Sequence, residues 1–304
     1  MPLVMPYILT LVASENNLAA AHIADVTNYC AANGLELGGV PDWLGAKKAA
    51  AIPLKQRPAR KDIEALWRVL EEDRIDLFIA PAIGSRRKKL LLADMDATIV
   101  TGETLDEIAA LAGIGDEVAA ITRRAMAGEL DFKAALRERV AMLKGRNAAL
   151  LNDALEKLEL SNGARALVQG MSESGATCVL VSGGFTFFTE KIAALAGFHH
   201  HHGNILEIND NKLCGTVEEP ILDRDSKLKL LQQYAQQLKL DLSETMAIGD
   251  GANDLPMLQA AGLGIGYHPK PLLRATLDNC ILYGDLTAAL FAQGHRGTNA
   301  NKHQ

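Results

Sequence analysis

Apolar and polar positions alternate along this chain in two different rhythms. Up to residue 81, short extended runs alternate with amphipathic stretches. Residues 7–13 (YILTLVA) predict a strand, and 17–33 an amphipathic helix ending near Gly34. Extended segments follow at 35–40 and 48–54, then a helix at 60–73 and a strand from Ile75 to Pro81. This βαβ-βαβ order predicts a small α+β sandwich of ferredoxin-like type over residues 1–84. The basic stretch Ser85-Arg86-Arg87-Lys88-Lys89 reads as a solvated connector.

From Leu90 onward the rhythm is that of a doubly wound α/β fold with a parallel sheet. Four apolar runs each end in a polar or glycine-rich turn: LLLAD at 90–94, TCVLVS at 177–182, TMAIGD at 245–250 and LGIGY at 263–267. They read as core strands covered on both faces. Between the first two lies a long helical pattern that exceeds a simple crossover, so residues 102–160 read as an inserted helical cap. Asn204–Ile208 and Lys212–Val217 flank Asn209-Asp210-Asn211, a hairpin turn. The second domain thus spans about 85–295, and the polar residues 296–304 read as a disordered tail.

Composition narrows the function class only mildly. A chain of 304 residues is long enough for two or three cores, and a formal charge of −6 argues against nucleic acid as the main partner. Four scattered cysteines without a CxxC pair suit reduced thiols and a cytoplasmic setting. Cys178 and Cys280 fall in apolar runs and read as small core residues. The apolar start lacks a basic leader region and reads as a strand rather than a signal peptide, and no membrane span is evident. Four consecutive histidines, His199–His202, cannot all face one ion and read as an exposed loop.

The chemistry lies where the apolar runs end, because ligands of open parallel sheets bind outside the strands' carboxyl ends. Asp94 and Asp96 stand either side of Met95 in DMDAT, where the strand ends and the chain turns away, which leaves both acids at one site. Asp94 can attack phosphorus and carry an aspartyl-phosphate, since a carboxylate is ionised at neutral pH without an activating base. Asp96 is placed to protonate a leaving oxygen and then to deprotonate water. Asp250, with Asp94, can hold Mg²⁺ against a phosphate oxygen. Ser182 and the amides around Gly183 can donate to phosphoryl oxygens. Lys227, at a helix start above Leu228, Leu231, Ala235 and Leu238, puts an ammonium near the same phosphate.

At this point the chain resembles the haloacid dehalogenase superfamily of phosphotransferases and, within it, the phosphoserine phosphatases. The resemblance runs from about Lys89 to residue 285, through DMDATIVTGETLDEIA at 94–109, AMAGELDFKAALRERVAMLKG at 125–145, VSGGF at 181–185 and IGDGANDLPML at 248–258. It implies Asp94 as nucleophile, Asp96 as acid and base, and phosphate contacts from Ser182, Gly183 and Lys227. It implies Mg²⁺ on Asp94, the backbone carbonyl of Asp96, and Asp250, supported by Asp254 and Asn253. Ala97 departs from the serine that relatives often carry. The first eighty or so residues look like the ACT-type modules fused to some bacterial members.

The cap carries the substrate argument. Phe132, Leu136, Arg139, Val140 and Leu143 share a helix face after Asp131, while Arg137 points away. An inward arginine suits a substrate carboxylate, and Glu103 suits a substrate ammonium. The family's cap motif implies Met126 and Phe132 as apolar shielding. The expected activity is Mg²⁺-dependent hydrolysis of O-phosphoserine, the last step of serine biosynthesis. Its rivals are transfer to another alcohol, action on a different small phosphate, or an amino-acid-sensing regulator with an inactive core. No residue of this chemistry precedes Asp94, so residues 1–84 read as removable, and an exposed sheet edge there reads as a homodimer contact.

Overall fold

The computed structural model describes residues 6–82, 86–126 and 129–297, apart from the side chain of Met126. The expected disordered tail therefore lies outside the described residues, except for Arg296 and Gly297. The first unit runs β1 (Tyr7–Ala13), α1 (Ala20–Ala32), β2 (Asp42–Gly45), β3 (Ala49–Leu54), α2 (Arg60–Leu70) and β4 (Ile75–Pro81). Its sheet has the order β2-β3-β1-β4, with every neighbouring pair antiparallel, the topology of a ferredoxin-like sandwich. The expected extended piece at 35–40 is misplaced. Only Leu37 there makes an isolated bridge, to Leu54, and β2 forms further on, where a short turn can fold it back on β3.

The second unit begins with β5 (Leu90–Asp94), followed by cap helices α3 (Thr104–Leu111), α4 (Gly115–Met126), α5 (Phe132–Ala141) and α6 (Leu150–Leu155). The neck of the cap is pinned by backbone bonds from Thr101 to Glu159 and from Ser161 to Ile99. Then come α7 (Ala164–Glu173), β6 (Thr177–Phe185), α8 (Thr186–Ala196), β7 (His200–Asn204) and the hairpin β8 (Leu206–Asn209) and β9 (Lys212–Val217). The chain closes with α9 (Arg224–Gln237), β10 (Thr245–Gly249), α10 (Leu255–Ala260), β11 (Leu263–Tyr267), α11 (Pro271–Thr276), β12 (Cys280–Ile281) and α12 (Ala288–Ala292). The parallel sheet has the order β12-β11-β10-β5-β6-β7. The four apolar runs are β5, β6, β10 and β11, all central, and their nearly complete burial explains why they lack alternation.

Two further strands flank them. The histidine run is exposed only in part and is not a loop beyond its first residue. His199 and His200 are exposed, while His200–His202 begin the edge strand β7, where two rings find partners: His201 with Thr189 at 3.0 Å and His202 with Tyr234 at 2.9 Å. The connector is solvated only in part, with Arg87 and Lys89 exposed. Lys88 is buried and donates to the Ser243 carbonyl at 2.7 Å, and Arg86 donates to Thr10 in the N-terminal sheet at 2.8 Å.

The N-terminal sheet is covered on both faces. Leu9, Leu11, Ala50, Ile52 and Leu77 pack toward α1 and α2. Val12, Ala49, Ala51 and Phe78, on the opposite face, share one core with α12 and the catalytic sheet. Asp76 of β4 reaches across and accepts the Leu282, Tyr283 and Gly284 amides at 2.8, 3.2 and 2.9 Å. Burial pushes its carboxyl up to about 6, against the pull of those three amides. Asn279 pairs with both the amide and the carbonyl of Ile79, capping the β4 edge. Removing residues 1–84 would uncover this apolar face and strip three turn amides of their acceptor, so the unit is built into the catalytic fold rather than strung beside it.

Asp76→Ala is therefore expected to destabilise the whole chain by about 3 kcal/mol or more, since each buried amide left without a partner costs about 1–3 kcal/mol. Chemical denaturation measures this, and an unchanged midpoint would show that the two units are energetically independent.

Candidate active site

The polar ends of β5, β6 and β10 converge at the carboxyl edge of the sheet. After Asp94 the chain makes one wide turn, Met95–Ile99, in which Asp96 is extended (φ −65°, ψ 135°) and Ala97 is left-handed (φ 51°, ψ 11°). The turn leaves both carboxylates at the carboxyl end of β5, facing one cleft. Ala97 holds a conformation that costs an L-residue roughly 1 kcal/mol. The bond from its amide to the Gly102 carbonyl, 3.0 Å, helps keep it there.

One ammonium organises the acids. Lys227, in the first turn of α9, is buried, with Nζ 2.7 Å from Asp94 Oδ1 and 2.6 Å from Asp254 Oδ1. The buried stripe of α9 is Lys227, Leu231 and Ala235, and the expected stripe member Leu238 is exposed instead. This register turns the lysine under the sheet edge. Burial works against its charge, yet Asp254 and Asp94 hold its pKa above the ordinary lysine value. Burial and then Asp254 push the Asp94 carboxyl well above the usual carboxylate range, and Lys227 opposes them. Gly249 makes room for this arrangement. A Cβ there would stand 2.5 Å from the Asp254 carboxyl carbon.

Asp94, Asp250 and Asp254 each present a carboxylate oxygen within 4.8 Å of the others. An all-oxygen set of this kind suits a hard divalent cation. Both Asp254 oxygens already bond, to Lys227 and to the Gly251 amide at 3.1 Å. Asp254 therefore supports the cluster more than it offers a free ligand. Three carboxylates against one buried ammonium leave a negative imbalance that a metal ion would correct.

Asp96 lies apart from the acid cluster in its bonding. Its Oδ2 accepts from Ser182 Oγ at 2.6 Å and its Oδ1 from the Thr104 amide at 2.8 Å. Ser182 Oγ accepts in turn from the Gly184 amide at 2.8 Å. A Cβ on Gly184 would lie 3.0 Å from both the Ser182 and Thr104 hydroxyls and 3.2 Å from Asp96, so a side chain here would press on all three groups. Asn253 donates to Asp254 at 3.3 Å.

The cap places its residues over the same cleft. Asp131 caps α5 by accepting from the Ala134 amide at 2.8 Å. Phe132 stands directly over Gly183, its ring 2.9 Å from where a Cβ would be. Arg139 is half-buried and donates to the Ala135 carbonyl of its own helix at 3.2 Å, whereas Arg137 is exposed and pairs with Glu219. Burial lowers the Arg139 pKa, against the pull of Asp106 and Glu103. Glu103 stands just ahead of α3 at the cleft mouth. Burial, then Asp96, push its carboxyl up to about 7, with Lys270 opposing. The Met126 side chain lies outside the described residues. Sequence reasoning missed Thr104, Gly249 and Lys270. The signal for the last was its place in the turn after the fourth apolar run, since the other three runs all end in site residues.

The haloacid dehalogenase-like hydrolase family model matches residues 91–259. The chain is 38% identical over 231 residues to a phosphoserine phosphatase of Archaeoglobus fulgidus, covering 76% of this chain and 67% of that protein. It is 42% identical over 231 residues to a phosphoserine phosphatase of Mycobacterium tuberculosis, covering 76% of this chain but only 56% of that longer protein. The crystal structure of a probable phosphoserine phosphatase from Vibrio cholerae superposes with a TM-score of 0.76 at 30% identity, over 99% of this chain and 90% of that one.

Lys227→Met should cost about 3–5 kcal/mol of stability at neutral pH, because it strands two buried carboxylates. The Asp94 carboxyl already titrates above the usual carboxylate range against the pull of Lys227, so the variant should recover stability as pH falls and lose it as pH rises. Denaturation midpoints at two pH values check this. A pH-independent deficit would mean that lost packing, not charge, is responsible.

Proposed function

The chain belongs to the haloacid dehalogenase-like hydrolases and, within them, to the phosphoserine phosphatases. From that premise we propose that it hydrolyses O-phospho-L-serine to L-serine and phosphate, with Mg²⁺ and through an aspartyl-phosphate on Asp94, as the final step of serine biosynthesis. The observation that carries this reading is the buried Asp94–Lys227–Asp254 chain beside Asp250, within the cleft that Asp96 and the cap complete. Asp94, Asp250 and the Asp96 backbone carbonyl would hold Mg²⁺, with Asp254 behind them. The ion supplies relief of the repulsion between an anionic nucleophile and an anionic substrate.

In the first step an Asp94 oxygen attacks phosphorus as the bond to the serine oxygen breaks. Asp96 gives its proton to that oxygen. In the second step water attacks phosphorus, Asp96 takes the proton, and the Asp94–phosphorus bond breaks. Lys227, the Gly183 amide and Asn253 receive the phosphoryl oxygens; Ser182 has one hydroxyl proton, which holds Asp96 in the ligand-free site and turns to a phosphoryl oxygen when substrate binds. Glu103 takes the substrate ammonium and Arg139 its carboxylate, once the guanidinium leaves its own helix carbonyl. Phe132 and Met126 shield the phosphoryl group from water.

The same reading places the chain in the cytoplasm, in keeping with four free cysteines, three of them buried. Among the described residues no helix is long and apolar enough to cross a membrane. It also includes a homodimer. Leu37, Val40 and Trp43 are exposed beside the β2 edge and supply an apolar contact for it.

A phosphate-release panel of phosphoserine, phosphothreonine, phosphoethanolamine and sugar phosphates, with and without Mg²⁺, tests the proposal. Phosphoserine with Mg²⁺ should lead, and a sugar phosphate leading would overturn the substrate. Asp96→Asn should slow turnover by roughly 10²–10⁴-fold.

Arg139→Ala should cost phosphoserine about 1.5–3 kcal/mol of transition-state binding while sparing an aryl phosphate that has no carboxylate. Equal losses would assign Arg139 to the fold. With its carboxyl near 7, Glu103 is neutral below that pH and anionic above it. The kcat/KM ratio of phosphoserine to aryl phosphate should therefore rise as pH passes through about 7, and a Glu103→Gln variant should flatten the rise.

A further inference from the structure

The carboxyl edge of the sheet carries a second lysine that the proposed chemistry leaves unused. Lys270 lies in the turn between β11 and α11, and its backbone amide donates to the Asp250 carbonyl at 2.9 Å. Its Nζ stands 2.9 Å from Asp250 Oδ2 and 3.5 Å from Glu103 Oε1. The two lysines of the site differ in how firmly they are held. The Lys227 side chain is 2% exposed and locked between buried acids, while the Lys270 side chain is 56% exposed on a flexible stem. A half-exposed ion pair is weak and readily exchanged.

Both anions that Lys270 joins are the ones the phosphatase reading gives to incoming cations: Asp250 to the metal ion and Glu103 to the substrate ammonium. Resting on that reading, we propose that Lys270 is a tethered counter-ion of the ligand-free site, which the metal ion and the substrate ammonium must displace. It keeps two neighbouring carboxylates compatible when no ligand is bound. It also sets metal affinity below what the carboxylates alone would give. Each ligand that binds removes one of the two anions holding the lysine and so weakens its hold on the other. Lys270 is thus a positioning residue, outside the bonds that form and break.

The test is calorimetric titration of the full-length protein with Mg²⁺, and with Mn²⁺, in the absence of substrate. Lys270→Met and Lys270→Gln remove the charge, and Lys270→Arg keeps it. Both neutral variants should bind metal roughly two- to five-fold more tightly than wild type, the range over which a half-exposed ion pair contributes. The arginine variant should stay near wild type. At saturating metal the neutral variants should also show a lower KM for phosphoserine, with no change for an aryl phosphate that lacks an ammonium. Metal-dependent phosphate release by the wild type, together with unchanged or weaker metal binding by both neutral variants, overturns the role of Lys270 alone. Absence of metal-dependent release by the wild type overturns the phosphatase reading beneath it.

Discussion

The burial of one ammonium between two carboxylates is the constraint on which the rest of the catalytic unit depends. Lys227 cannot sit 2.7 Å from Asp94 and 2.6 Å from Asp254 in a dry site unless β5, β10 and α9 hold fixed relative positions. Removing the lysine leaves two buried carboxylates without their counter-charge, which is among the costliest single defects a core can carry. The glycine at 249 follows from the same geometry, because a side chain there would collide with Asp254. So does the pull toward a divalent cation, since Asp250 adds a further negative charge to a cluster with one buried positive one. Structure and chemistry share the same interaction here. The lysine that lets the acids be buried together is also the group that the proposed reaction gives to a phosphoryl oxygen.

Around that centre the cleft is assembled from short sequence pieces distant along the chain. The wide turn after β5 brings Asp96 back beside Asp94. The end of β6 supplies Ser182, and the cap lowers Phe132 onto Gly183. The hairpin β8–β9 braces the cap: the Gly145 amide donates to Leu213, the Leu213 amide donates to Arg146, and Lys133 pairs with Asp223 ahead of α9. The N-terminal sheet braces the other end through α12 and the amides held by Asp76. Arg139 and Glu103, the residues proposed to hold the substrate's charged groups, are half-exposed at the mouth.

Much of this was legible because it rests on local pattern. β5, β6, β10 and β11 are doubly buried, and such strands read as unbroken apolar runs. Asp94, Asp96, Ser182, Asp250 and Asp254 stand at the ends of those runs, where topology alone gives them a common edge. What was not legible depends on partners far away in sequence. The histidines of β7 become strand residues because Thr189 and Tyr234 satisfy their rings. β12 is only two residues long and carries no period to detect. The near-continuous apolar character of β1, β3 and β4 was itself a sign that the N-terminal sheet is covered on both faces, and reading it as a separable unit overlooked that sign. Lys270 escaped notice because a lysine in a turn is ordinary until Asp250 and Glu103 are placed beside it.

The account's central claim is that Asp94 becomes covalently phosphorylated. The most direct measurement is acid quench of the Mg²⁺-loaded protein during turnover of phosphoserine, followed by borohydride reduction, proteolysis and mass spectrometry. The account predicts acyl-phosphate chemistry confined to the peptide containing Asp94, with the reduced product at that residue. Turnover accompanied by modification at another residue, or by no modification at any time point in a series that resolves the burst, would contradict it.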